Sequence, residues 1–143
     1  MSPEELKIVA MEKIEDPVWE VVGSGLHHYN IQQAGADQGK SLCFVLLGPE
    51  QQVLGGVIGE THWGWLYISL MFVKEELRGC GYGHQLLNLA EEEARRRGAT
   101  HAYLDTFSFQ APEFYKKHGY QVFGELPDFP TGQTRYYLKK DLA

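Results

Sequence analysis

Cysteine is scarce in this chain: its 143 residues hold only Cys43 and Cys80. Two thiols make neither a disulfide framework nor a four-ligand zinc site. Long apolar runs are missing too, and none approaches the roughly 20 residues that a membrane helix needs. No signal-peptide pattern is visible, so the expectation is a reduced, cytoplasmic setting with no membrane partner. Positive charge is the minor sign, with 13 Lys and Arg against 19 Asp and Glu and a formal charge of −6. That balance argues against nucleic acid as the main partner and would suit a cationic small molecule. Repeats, low-complexity tracts and linkers are also absent. The length fits the usual ~100–200 residues of one domain, so a single domain over 1–143 is expected. A hydrophobic share of 43% is enough to build its core.

Glycine, by contrast, is abundant: sixteen residues exceed the usual share of about 7%. Gly79, Gly81 and Gly83 fall in one short stretch. Around it the chain reads as alternating elements. Leu6–Met11 has the composition of a first strand. Asp16-Pro17 resembles a helix start, with Asp as the cap and Pro in the first turn, and a helix from Val18 towards Gln33 must tolerate Gly23 and Gly25. Leu42–Leu47 is a continuous apolar run and Val53–Thr61 should return from it as a hairpin. Trp65–Val73 is a longer strand rich in aromatic and β-branched residues. A helix follows from His84 to Arg97, its apolar face formed by Leu86, Leu87, Ala90 and Ala94. Glu91–Arg95, Glu92–Arg96 and Glu93–Arg97 supply i,i+4 pairs for the opposite, solvated face. His101–Phe107 is a strand, Pro112–His118 a short helix, and Tyr120–Glu125 and Thr134–Lys139 the last strands. The strand–helix–strand order around Trp65–Phe107 implies a parallel pair joined by a right-handed crossover. The whole is an α/β fold with a mixed, mostly antiparallel sheet flanked by helices.

The stretch Arg78-Gly79-Cys80-Gly81-Tyr82-Gly83 follows a strand and opens a helix. Glycines let successive N–H groups converge without Cβ clashes, and the helix start adds unpaired donors and a positive dipole end. A pyrophosphate fits such a cradle; a tight turn with glycines for close packing fits it as well. Neither common phosphate loop is present: the dinucleotide pattern would need glycine at His84, and no Gly-Lys-Ser/Thr occurs.

Arg78-x-x-Gly81-x-Gly83 resembles the R/Q-x-x-G-x-G/A motif of the GCN5-related N-acetyltransferase (GNAT) superfamily. Ala111-Pro-Glu-Phe114-Tyr115-Lys-Lys-His-Gly119-Tyr120 is similar to its A-x-x-x-Y-x-x-x-G-F segment. Element order and length agree over nearly the whole chain. Many members carry, three residues before that Ala, an Asn that helps fix the pantetheine arm or the following helix; this chain has Ser108 there, which the resemblance counts among the cofactor-binding residues and which is placed to cap that helix.

The resemblance implies the acyl-CoA N-acyltransferase fold, in which Trp65–Val73 and His101–Phe107 splay apart. The pantetheine arm of acetyl-CoA would bond to the exposed backbone of Met71, Phe72 and Val73. The pyrophosphate would sit on amides of Gly79, Cys80, Gly81, Tyr82, Gly83 and His84, near Arg78. Tyr115 would protonate or hydrogen-bond the departing thiolate. For the general base the resemblance suggests Glu60 acting through water, with His62 and Asp105 as alternatives. Tyr67 and Ser69 are expected on the same strand face as Met71, by the period of two. No metal is implied: adjacent His27 and His28 point to different helix faces. Acceptor choice would lie with the Val18–Gln33 region, Tyr29 and Asn30 included, and the Leu126–Gln133 loop. The implied acceptor is a small-molecule primary amine, with a protein or peptide amine as the competitor and a homodimer as one assembly. A CoA-binding module without turnover and a nucleotide-binding regulator are the readings from other classes; Tyr115 argues against the first.

Overall fold

The computed structural model describes residues 5–143, which fall into two compact units divided between Asp37 and Gln38. In the first, the described chain runs irregularly to Glu15 and then turns helical. Helix α1 (Asp16–Val18), a π-helical segment (Trp19–Gly23) and α2 (Ser24–Ala34) follow without a break. The cap is Glu15, one residue before the expected Asp16, and Pro17 lies in the first turn. The two glycines are absorbed by the π segment and the start of α2. Leu6–Met11 is not a strand: it joins no ladder, and Leu6, Ile8, Val9 and Met11 are exposed. An apolar run has strand composition, but a strand exists only through a hydrogen-bonded partner, and none pairs with it.

The second unit is one six-stranded sheet with helices. Its strands are β1 (Lys40–Leu47), β2 (Val53–His62), β3 (Trp65–Val73), β4 (His101–Phe107), β5 (Gln121–Pro127) and β6 (Thr134–Asp141). They lie in the order β1-β2-β3-β4-β6-β5, and β3–β4 is the parallel pair. Its crossover contains α3 (Tyr82–Arg96), and α4 (Pro112–Lys117) lies between β4 and β5. Helix α3 starts two residues before the expected His84, because Gly81 takes the cap position.

Leu86, Leu87, Ala90 and Ala94 of α3 are buried with Val57, Leu66, Ile68, Ala102, Leu104 and Leu138 of the sheet. Each fully buried leucine is worth about 1.5–3 kcal/mol relative to exposure. The solvated-face reading of α3 fails at Glu91. It has 1% exposure, and its carboxylate accepts from Tyr120 Oη at 2.9 Å and Lys140 Nζ at 2.7 Å. Both partners lie outside the helix, so helical spacing could not announce them. Arg96 pairs with Glu93 rather than Glu92, and Arg97 also reaches Glu93.

Strand β3 departs from simple alternation. Ile58 faces Leu70 while Gly59 faces Ile68, so Ser69 is an extra residue in the ladder. Its hydroxyl donates to Ile58 O at 3.0 Å. A bulge shifts the period by one. Leu66 and Ile68 are buried under α3, and beyond the bulge Met71 and Val73 pack on that same core. Leu70 and Phe72 are exposed. Met71 therefore lies on the face opposite Tyr67, against the expectation from strict alternation.

Candidate active site

The β3–β4 ladder holds four residue pairs, from Trp65–His101 to Ile68–Leu104, and stops. Both strands run on, to Val73 and Phe107. Stacking of Trp65 on His101, with centroids 4.6 Å apart, and of Tyr67 on Tyr103, at 4.8 Å, secures the closed end. Past it, β3 keeps β2 as partner and β4 keeps β6, so the two edges facing each other carry backbone groups with no ladder between them. Such groups favour an extended, amide-bearing ligand that can bond to them as a strand would. Met71, Phe72 and Val73 lie on this stretch of β3.

The glycine loop leads into α3 beyond a 3-10 turn, Glu75–Leu77. Gly81 has φ 88°, the left-handed region that L side chains resist. The first amide bond onto the helix is Gln85 N–H to Gly81 O. Hence the amides of Tyr82, Gly83 and His84 have no acceptor inside the helix, and they point from the positive end of its dipole. Gly83 has a packing reason of its own: a Cβ there would lie 3.0 Å from Phe114 Cζ. Arg78 does not hang free. Its Nε donates to Val73 O at 2.8 Å, and its guanidinium lies over Phe72. It braces loop to strand, and Val73 offers its carbonyl to Arg78. Cys80 is exposed, with Sγ 3.9 Å from Arg78 O.

Tyr115 lies on α4, half-buried against the core and edge-on to Phe114 and Tyr120. Burial first, and then the negative Asp105, push its phenol above the ordinary value near 10. Asp105 is the first residue past the last β3–β4 pair. Its carboxylate accepts from Tyr67 Oη at 3.2 Å and from Arg135 Nε and NH2 at 2.9 and 2.6 Å. These charge-assisted bonds from Arg135 tie β4 to β6 beside the opening. Arg135, which the sequence did not single out, also lies over Phe107, Phe129 and Tyr137. Strand alternation would put Arg135 and Tyr137 on one face, but the acidic partner thirty residues earlier leaves no local mark.

Glu60 sits opposite Tyr67 across β2–β3, half exposed, with His62 Nδ1 3.6 Å away. Burial, then Glu60 and Asp105, raise the Tyr103 phenol; burial and then Asp105 raise that of Tyr67. Both phenols therefore stay protonated near neutral pH; the Tyr67 hydroxyl is spent on Asp105, and that of Tyr103 is the donor left near Glu60. Ser108 does not cap α4, which has no side-chain cap. It donates to Gln133 Oε1 at 2.6 Å and accepts from Thr134 N–H at 3.0 Å, tying the end of β4 to the start of β6. Among the described residues no three His, Cys, Asp or Glu converge as a metal site, and no helix is long and apolar enough to cross a membrane.

An open strand pair, a glycine-lined helix start and a half-buried phenol electrostatically linked to the first residue past the ladder are parts that fit an acyl-thioester with a pantetheine arm and a pyrophosphate. The profile of the Acetyltransferase (GNAT) family matches residues 8–120. An acetyltransferase of Agrobacterium fabrum (strain C58 / ATCC 33970) is 38% identical over 112 residues, 78% of this chain and 82% of that one. The blasticidin-S acetyltransferase of Streptomyces morookaense is 38% identical over 96 residues, 66% of this chain and 71% of that one. The crystal structure of an acetyltransferase from Bacillus cereus ATCC 14579 superposes with a TM-score of 0.85 at 33% identity, covering 93% of this chain and 97% of that one.

Proposed function

The chain belongs to the GNAT family of acetyltransferases and is an acetyl-CoA-dependent enzyme; from that premise we propose that it acetylates a primary amine of a small molecule, by direct attack in a ternary complex. The observation that carries the reading is the early end of the β3–β4 ladder at Ile68–Leu104, with Tyr115 within electrostatic reach of the residue that follows. The blasticidin-S acetyltransferase supports a small acceptor by its similarity.

In this reading the arm of acetyl-CoA bonds to the backbone of β3 at Met71, Phe72 and Val73. Amides of the 79–84 loop hold the pyrophosphate, and Arg78 keeps that loop against the strand. Ser108 steadies the end of β4 on the far side of the opening. Glu60 takes the proton of the incoming ammonium through water. Tyr103 donates a hydrogen bond beside it, and Tyr115 donates one to the sulfur as the thioester breaks. The magnitudes decide how Tyr115 acts. Proton transfer from a phenol above 10 to a thiolate whose acid is near 8.5 runs uphill by at least about 2 kcal/mol. A strong hydrogen bond to the thiolate therefore carries most of the effect.

The test is an acetylation screen with small amines beside lysine peptides, read by product formation. Turnover of small amines is the expected result. Turnover of peptides alone would move the acceptor to protein, and acetyl-CoA binding without product from any amine would leave a binding module. A narrower expectation concerns Glu60. Glu60→Gln lowers kcat/KM by about tenfold where the amine is protonated, less than the usual 10²–10⁴ for direct base catalysis because water intervenes. The deficit closes at high pH, where the amine needs no base. A parent-like profile at every pH would remove Glu60 from the mechanism and turn attention to His62.

A further inference from the structure

Helices α3 and α4 meet through two histidines that the proposed chemistry leaves unused. His84 lies in the first turn of α3, among the amides assigned to the phosphates, and His118 caps the end of α4. Their ring planes are within 10° of each other and their centroids 5.0 Å apart, so the rings meet edge to edge, and His84 packs at a tilt on Phe114 at 4.4 Å. The two Nδ1 atoms are 2.7 Å apart. At that distance two N–H groups would collide and two lone pairs would repel, so one proton lies between them.

The surroundings say which ring supplies it. The side chain of His118 is 7% exposed, and its Nε2, with no well-formed hydrogen bond, faces Glu91 Oε2 at 3.4 Å. A proton on that Nε2 meets the carboxylate, and a lone pair there would be repelled by it. His118 is thus the Nε2–H tautomer, its Nδ1 is bare, and His84 Nδ1–H donates. The remaining neighbours keep this arrangement in place. On α3, Glu91 and Arg95 approach to 3.8 Å; on β6, Lys140 donates to Glu91 Oε1 and to His118 O; and Tyr120, before β5, donates to Glu91 Oε2. Lys140 and the second histidine oppose charge on His118 and burial opposes it most, against the pull of Glu91, so its pKa lies below the ordinary 6.5.

We propose that His84 and His118 form a one-proton clasp that joins the phosphate-binding end of α3 to α4 and so positions Tyr115 for the thiolate. The clasp rests on the reading of Tyr115 given above. His118 is a positioning residue: it touches no substrate, and it acts through α4, on which Tyr115 sits three residues earlier. Acid opens the clasp. A proton gained at His118 Nδ1 sets N–H against N–H, the rings part, and Tyr115 loses its fixed place. Because burial lowers that pKa, the loss falls on the acid side of neutrality and leaves the enzyme whole at pH 8.

Two substitutions separate the clasp from ordinary packing. His118→Asn puts an amide oxygen where Nδ1 was and can accept from His84 without titrating. It should keep kcat within about twofold of the parent at pH 8 and lack the His118-dependent acid loss. His118→Leu fills the space but accepts nothing, and kcat should fall about tenfold at all pH values, since small misplacements of a reacting group are costly. Acetyl-CoA affinity should be unchanged in both. Long-range ¹H–¹⁵N spectra of the parent should give His84 as the Nδ1–H form and His118 as the Nε2–H form. An acid limb in His118→Asn matching the parent's, parent-like kcat in His118→Leu, or both rings in the Nε2–H form would overturn the clasp. Tyr115→Phe measured alongside separates the two ideas. Full activity there defeats the thiolate role while the spectra still judge the clasp; lost activity there with unaffected His118 variants defeats only the clasp.

Discussion

Tyr115→Phe lowers kcat by about 10²-fold, at the low end of the range for general acids, and leaves acetyl-CoA affinity where it was. The ring remains, so its packing against Phe114, Tyr120 and the core remains too. What goes is one oxygen, whose partner, the thiolate, exists only as the thioester breaks. An interaction made only then changes kcat and not binding. The low end is expected because burial and Asp105 raise the phenol above its ordinary value, which favours a held hydrogen bond over full transfer. The same shift gives the pH behaviour: Tyr115 stays protonated to beyond pH 10, so it adds no alkaline decline below that. Steady-state turnover with one acceptor, beside direct titration of acetyl-CoA, checks both halves. Equal turnover would sink the thiolate role, and parallel loss of turnover and affinity would make Tyr115 a binding residue.

Gly81→Val weakens acetyl-CoA binding by about 10²-fold while the fold persists. Gly81 caps α3 at φ 88°, and valine in the left-handed region costs about 1–2 kcal/mol. The loop relieves that strain by turning, which misdirects the amides of the helix start. Losing two charge-assisted bonds at about 1.5 kcal/mol each gives the stated factor. The core of α3 begins at Leu86, one turn further on, so the sheet and helix stay assembled. Calorimetric titration with acetyl-CoA and a thermal melt of the same sample decide it. Parent affinity in a folded Gly81→Val protein would mean that the phosphates sit elsewhere. Gly83→Ala is a poorer test, since its Cβ would press on Phe114 and disturb α4 whatever the ligand does.

The strands that frame the site were legible to the residue. Trp65–Val73 and His101–Phe107 end where the sequence says: the first is an aromatic and β-branched run between Gly64 and Lys74, and the second is an alternating run that follows Gly98 and ends before the polar Ser108. The glycine loop and the Ala111–Tyr120 segment were legible for a similar reason: backbone freedom and helix starts leave marks on the residues that need them. By itself, then, the sequence determined the α/β order from β1 onward, the parallel pair, the loop before α3 and the place of Tyr115 on its helix. Tertiary structure alone decided what those elements touch. Leu6–Met11 has strand composition and no strand, since pairing needs a partner edge. A single bulged residue, Ser69, turns Met71 away from the face of Tyr67, and nothing in a nine-residue apolar run marks where an extra residue enters the ladder. Glu91 reads as a surface helix residue because its partners, Tyr120 and Lys140, come from other parts of the chain. Asp105 with Arg135, Ser108 with Gln133 and His84 with His118 are pairs of the same kind. Periodicity records which way a side chain faces within its own element, while the partner it meets there is set by packing between elements distant in sequence.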